Sequence, residues 1–127
     1  MNELTKRILK FRCWENSENR MILWDDIYKH IERTGGAVWF YFSNEDQEMI
    51  MMQFTGIIDK NGKEIYEGDI IQYTQHYFNT EMINTKIKVV KWNMDRWNIF
   101  STNAGETDIE VIGNIYENPE KYLDILI

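Results

Sequence analysis

The chain has 127 residues, is 43% hydrophobic and 14% aromatic, and carries a net charge of −7. That length holds one domain or two small subdomains sharing a core, and the apolar content excludes disorder of the whole chain. The acid excess lies mostly in residues 54–127, with twelve Asp/Glu against seven Lys/Arg, and disfavours non-specific binding to a phosphate backbone.

Cys13 is the only cysteine. An intramolecular disulfide and a cysteine-based zinc site are excluded, which suits a reducing cytosol. The first residues, "MNELTKRILKFRCW", lack the apolar core and cleavage site of a secretory signal. The longest apolar runs, "AVWFYF" and "MIMM", fall far short of the roughly 20 residues a membrane helix needs. The expectation is a soluble cytoplasmic protein with no membrane contact.

In chain order, residues 6–14 place Ile8, Leu9, Phe11 and Cys13 among basic residues and read as a strand with one buried face. The polar "ENSENR" turns the chain into a second short strand, "MILW" (21–24), so a β-hairpin opens the fold. "DDIYKHIERTGG" (25–36) reads as a short helix. Asp25 or Asp26 serves as N-cap, Ile27, His30 and Ile31 recur at helical spacing, and Gly35 and Gly36 stop it. "AVWFYF" (37–42) and "MIMMQF" (49–54) read as strands around the loop "SNEDQE".

Next comes "FTGIIDKNGKEIYEGDIIQY". Asp59-Lys60-Asn61-Gly62 suits a type I turn with Asp first, and Gly62 in the left-handed region closing a bulged hairpin. A two-residue Asn-Gly turn would oppose Asp59 to Glu64 and Lys60 to Lys63, two like-charge pairs, so the bulged register is preferred. Gly68 marks a second corner, followed by Asp69 and the strand "IIQYTQHY". After the polar "FNTEMIN", "TKIKVVKW" (85–92) alternates, with Ile87 and Val89 on one face and Lys86 and Lys88 on the other. "NMDR" turns into the strand "WNIFS" (97–101), "TNAGET" reads as a loop, and "DIEVIGNIY" (108–116) reads as a strand whose Gly113 marks a bulge or close approach. At the end Asn118 caps, Pro119 takes the first helical position and Glu120 the first turn of a short C-terminal helix.

The stretches "MQFTGIIDKNGKEIYEGDIIQY", "VVKW" and "EVIGNIYENPE", with "ILKFRCWENSENRMI" near the start, resemble the YopX-like family of phage and prophage proteins. Cys13 stands where the family typically has a small residue. The resemblance implies a phage or prophage origin, hence a host bacterial cytoplasm, and a largely β domain with SH3-like barrel character. It supplies no catalytic or binding residues.

Candidate chemistry is sparse. Glu64, Glu67 and Asp69 cluster around a turn and could offer oxygen ligands to a divalent cation, although a solvated corner explains them as well. His30 and His76 show no convergent partner for acid–base work, and Cys13 reads as a small core residue rather than a nucleophile. Tyr73, Tyr77, Phe78, Trp92 and Trp97 lie near Lys86, Lys88 and Lys91 in sequence. They could form a basic-aromatic surface that stacks bases, or fill a barrel while the lysines solubilise an edge. The surplus of bulky apolar residues in 37–42 and 49–54 suits contact with a partner or a second copy of the chain.

The expected fold is therefore mainly β (α+β). A β-rich part, residues 1–53, contains the hairpin and packs on an SH3-like small β-barrel, residues 54–127, with a short C-terminal helix. Asp59, Asn61, Gly62, Gly68 and Asp69 are expected to be turn residues. The expected role is non-catalytic, without cofactor or metal, acting through contacts with host or phage proteins and as a homo-oligomer. The alternative is a nucleic-acid-binding module using the lysine–aromatic surface.

Overall fold

The computed structural model describes residues 9–16, 18–34, 49–78, 80–100 and 104–126, with backbone only at 30–34, 104 and 126. The chain divides into two compact units, Met1–Gly56 and Ile57–Ile127. The boundary was expected between residues 53 and 54.

In the first unit, β1 (Phe11–Glu15) pairs antiparallel with β2 (Arg20–Ile22) on one side and with β3 (Met49–Ile58) on the other. The opening hairpin is thus present. Its turn uses Asn19 at φ 51°, a conformation that asparagine tolerates better than most residues. Across the hairpin Arg20 Nε lies 2.8 Å from Glu15 Oε2. Helix α1 (Trp24–Thr34) begins one residue before the expected start. Asp25 and Asp26 occupy its first turn rather than the cap, where they still face the positive end of the helix dipole. The Leu23 carbonyl accepts from the Asp26 and Ile27 amides. Ile27 is fully buried with Cys13 and Ile22, and Trp24, Met49 and Met51 pack around them. The expected strand 37–42, the loop "SNEDQE" and the Gly35-Gly36 stop lie outside the described residues.

In the second unit the end of β3 turns at Asp59–Gly62 into β4 (Glu64–Tyr66), its hydrogen-bonded neighbour. The turn is the bulged one. Gly62 sits at φ 82°, its amide donates to the Asp59 carbonyl at 3.0 Å, and the Asp59 amide donates to the Lys63 carbonyl at 2.8 Å. Gly68, at φ 87°, makes the second corner, where Asp69 Oδ2 accepts from the Tyr66 amide at 2.7 Å. Strand β5 (Asp69–Tyr77) is then central in a three-stranded antiparallel sheet, between β6 (Ile83–Val89) and β9 (Ala104–Asn114).

The β5–β9 ladder shifts register twice, between Ile70 and Ile71 and between Gln72 and Thr74. The second shift lies beside Asp108, whose φ is 54°. Such bulges add local bend and twist, and the sheet curls into a half-barrel. A small closed or half-closed barrel was expected for residues 54–127; the half-barrel agrees with the half-closed form, and the ladders of the described residues do not confirm an SH3-like barrel. Ile65, Ile71, Tyr73, Val90 and Ile99 form the buried cluster of this unit, with Ile57, Trp97, Ile109 and Val111 packed on it.

Other boundaries also differ from expectation. β6 starts inside the expected polar excursion, at Ile83. β9 starts inside the expected loop, at Ala104, because β5 is long enough to pair with it from Tyr77 onward. The expected strand 97–101 is reduced to β8 (Arg96–Trp97), which pairs with β7 (Trp92–Asn93). Beyond it, Asn98 replaces a strand partner with its side chain. Its Oδ1 accepts from the Lys91 amide at 2.8 Å and its Nδ2 donates to the Val89 carbonyl at 2.7 Å.

Helix α2 (Pro119–Leu126) closes the chain. Asn118 precedes it as expected, but its side chain turns away from the helix and accepts from the Asn114 amide at 3.1 Å. A Cβ on Gly113 would lie 2.5 Å from Asn118 Oδ1, so a side chain there would have to displace the Asn118 amide. Buried Asn114 in turn accepts from the Tyr116 and Glu117 amides through Oδ1.

Asp59 joins the first turn to β9. Its Oδ1 accepts from the Asn61 and Lys63 amides, both at 2.9 Å, and its Oδ2 from the Val111 amide at 2.9 Å. Burial alone would raise its pKa. The three amides and nearby Lys63 outweigh burial and hold the carboxyl below its usual range. Asp59→Asn removes one acceptor oxygen, and the charge, from three part-buried hydrogen bonds and should cost about 1–3 kcal/mol by urea unfolding at neutral pH. A folded pKa below the unfolded one gives a contribution that is complete above the unfolded value, about 3.9, and is lost as pH falls through the lower folded value. The gap between wild type and Asp59→Asn should therefore be flat above about pH 5 and shrink in acid. A gap that widens in acid would contradict this assignment.

Candidate functional site

β5 and β6 present the residues singled out in the sequence, and their alternation is as expected. Ile87 and Val89 share one face, Lys86 and Lys88 the other. The register sets Tyr73 opposite Lys86 and Ile71 opposite Lys88. The lysine face is therefore also the face of the buried cluster to which Ile71 and Tyr73 belong.

Lys88 does not solubilise an edge. It is half-buried, its Nζ stands 4.5 Å from the Tyr73 ring centroid, and it donates to the Ile99 carbonyl at 2.8 Å. Desolvation lowers its pKa, and Glu106 opposes that shift. Tyr73 is itself buried, and the same desolvation raises its phenol pKa. Further along the strand Lys86 Nζ lies 5.7 Å from the Tyr77 ring centroid. A hydrogen bond between the two side chains lowers the phenol pKa and raises that of the lysine.

The remaining members of the set sit on the β7–β8 hairpin. Trp92 and Trp97 oppose each other edge to face at 5.1 Å. Trp97 packs on the buried cluster, whereas Trp92 and Lys91 are exposed. Phe78 is exposed at the end of β5. The structure thus divides the predicted surface into an inward pair, Tyr73–Lys88, a rim pair, Tyr77–Lys86, and an exposed hairpin.

The acidic corner is engaged locally. Asp69 is buried on the Tyr66 amide, and Glu64 Oε1 accepts from the Tyr66 hydroxyl at 3.4 Å. Among the described residues no three His, Cys, Asp or Glu side chains are grouped to hold a metal ion. His76 Nε2 lies 2.9 Å from Thr107 Oγ1. The side chain of His30 lies outside the described residues. Cys13 is fully buried. Desolvation pushes its pKa up to about 11, against a hydrogen bond from the Ile50 backbone that lowers it.

The alternation of residues 85–92 also carries a feature that core-seeking logic passes over. Among the described residues β6 is an edge strand, and Ile83 through Ile87 are all exposed. Behind it an open cleft of about 520 Å³ runs toward α2, with Thr85, Ile87, Ile112, Lys121 and Ile125 among its lining residues. Lys121 Nζ is held on the Ile112 carbonyl at 2.6 Å. Exposed Phe78, Met82 and Ile83 cluster around the β5–β6 turn in sequence. Among the described residues no helix is long and apolar enough to cross a membrane.

A family model described as YopX protein matches residues 10–122. The crystal structure of protein EF1440 from Enterococcus faecalis is similar in fold, with a TM-score of 0.59 over 91% of this chain and 99% of that one, at 24% identity. No curated protein matches the sequence.

Two measurements check this geometry. In a spectrophotometric titration of the seven tyrosines, Tyr77 should ionise below the usual value near 10. Lys86→Met should move that step upward, and an unchanged curve would contradict the pairing. The Cys13 thiol should resist an aromatic disulfide reagent in the native state at pH 8 and react once the chain is unfolded. Rapid native labelling would contradict its burial.

Proposed function

The chain belongs to the YopX family, and on that premise we propose that it is a non-catalytic accessory protein of a phage or prophage, acting through protein contacts. The observation that carries this reading is the distribution of its chemistry. Three polar side chains of the family-like motifs are committed to backbone: Asp59 to three amides, Asp69 to Tyr66, Asn114 to Tyr116 and Glu117. Beside exposed charges such as Lys60, Lys86 and Lys91, the second unit offers a set of apolar side chains to solvent. Phe78, Met82, Ile83, Ile87 and Trp92 are each 45% exposed or more. Exposed apolar side chains grouped on neighbouring elements favour a protein partner over a phosphate-bearing one.

Nucleic-acid binding is the alternative, supported by exposed Lys86, Lys91 and Trp92. It draws less support from Tyr73, whose ring is buried beneath Lys88 and offers no face to a base.

An affinity pull-down of the tagged chain from bacterial lysate, with and without nuclease, tests the reading. Proteins retained after nuclease are the expected result. Retention lost on nuclease treatment, and abolished by changing Lys86, Lys88 and Lys91 together to Glu, would replace it with the nucleic-acid reading.

A further inference from the structure

The free edge of β6 has a defined hydrogen-bonding parity. The Tyr77 amide donates to the Met82 carbonyl and the Val90 amide to the Asp69 carbonyl. Antiparallel pairs alternate between hydrogen-bonded and non-hydrogen-bonded, so the even-numbered residues of β6 turn their peptide groups to β5. The odd-numbered ones, Ile83, Thr85, Ile87 and Val89, turn theirs outward. Val89 confirms the parity, since its carbonyl meets Asn98 Nδ2 on the outer side. That contact closes one end of the edge. Among the described residues no strand pairs with the edge at Ile83, Thr85 and Ile87. All three residues are exposed, and the strand contains no proline or glycine.

The side chains then select an occupant. A second β6 approaching antiparallel must oppose outward residues to outward residues, so odd to odd. Centred on Thr85, the pairing sets Ile83 against Ile87 of the second copy, Thr85 against Thr85, and Asn84 against Lys86. Both apolar pairs lie on one face and no like charges meet. One step along the same parity, centred on Lys86, opposes Lys86 to Lys86 and separates the isoleucines. The other step, centred on Asn84, opposes Ile83 to Thr85. Aligned apolar pairs stabilise antiparallel strands and opposed like charges destabilise them. Natural edges are usually blunted by charge, proline or a bulge. Here Lys86 supplies the exposed charge, and the Thr85-centred register sets it against Asn84 rather than against itself, with isoleucines at self-complementary positions.

We propose that two copies of the chain pair through β6, antiparallel and centred on Thr85, joining their three-stranded sheets into one of six strands. This deepens the protein-contact reading and rests on it. Each of the three outward pairs closes two backbone hydrogen bonds, with the isoleucine pairs covering one face. An interface of this size belongs to the weak class, so the dimer should be concentration-dependent in the micromolar range.

Sedimentation velocity from about 10 to about 500 µM tests it. Wild type should shift from one to two chain masses across that range. Thr85→Pro removes only an outward N–H and should remain monomeric at every concentration, with an unchanged circular dichroism spectrum. The double change I83K/I87K should also be monomeric, because it opposes lysine to lysine. I83E/I87K should dimerise again, because in this register each Glu meets a Lys. That rescue reads the register and does not depend on whether the proline variant folds. A wild type that stays monomeric, or a dimer that survives both disruptive variants, would overturn the proposal. A lysate protein retained by Thr85→Pro in the nuclease-treated pull-down would show that the broader protein-contact reading survives such a failure.

Discussion

Three backbone amides converge on one carboxylate, that of Asp59, and the second unit depends on that convergence. Two of the amides belong to its own turn and the third, Val111, lies 52 residues further along the chain. A buried, charged acceptor with oxygens on both sides can serve a turn and a strand together. The Val111 bond lies between the two register shifts of the β5–β9 ladder. Beyond Val111 the ladder has its first register shift, and Gly113 then passes within reach of Asn118. Lys60 extends the contact by donating its amide to the Ile109 carbonyl.

That economy changes the meaning of the charge. A net charge of −7 suggests an acidic surface, yet Asp59 and Asp69 are buried and Glu106 nearly so. Lys88 is drawn inward to a tyrosine ring and a carbonyl instead of standing in water. Its ammonium loses hydration there, and the ring, the carbonyl and Glu106 offset part of that cost. The polar groups that look most like an active site are thus used to fold the chain. Among the described residues, apolar side chains and the outward peptides of the β6 edge are left for other molecules, beside exposed charges such as Lys86 and Lys91.

Much of the fold was legible in the sequence. The opening hairpin, the short helix after it, the bulged Asp59–Gly62 turn, the Gly68 corner and the Pro119 helix start all follow from local turn and cap chemistry. Long-range pairing was not legible. β9 extends back to Ala104 because β5 is long enough to receive it, and no local signal in "TNAGET" reports that. Asn118 carried a correct cap signal, but its side chain went to the Asn114 amide, a choice that depends on the bulge beside Gly113. For the candidate site, the alternation of Lys86, Ile87, Lys88 and Val89 was readable. Which face turns toward the buried cluster was not, because Tyr73, whose phenol can pass for a rim residue, belongs to that cluster. The edge position of β6 follows from sheet order alone, and pattern cannot supply it.

Residue-resolved amide hydrogen exchange at two protein concentrations tests the account most directly. Asn61, Lys63 and Val111 should exchange slowly at both concentrations, since their amides end on Asp59. Ile83, Thr85 and Ile87 should exchange fast in dilute solution and be markedly protected when concentrated. Fast exchange at Val111, or edge amides that ignore concentration, would contradict it.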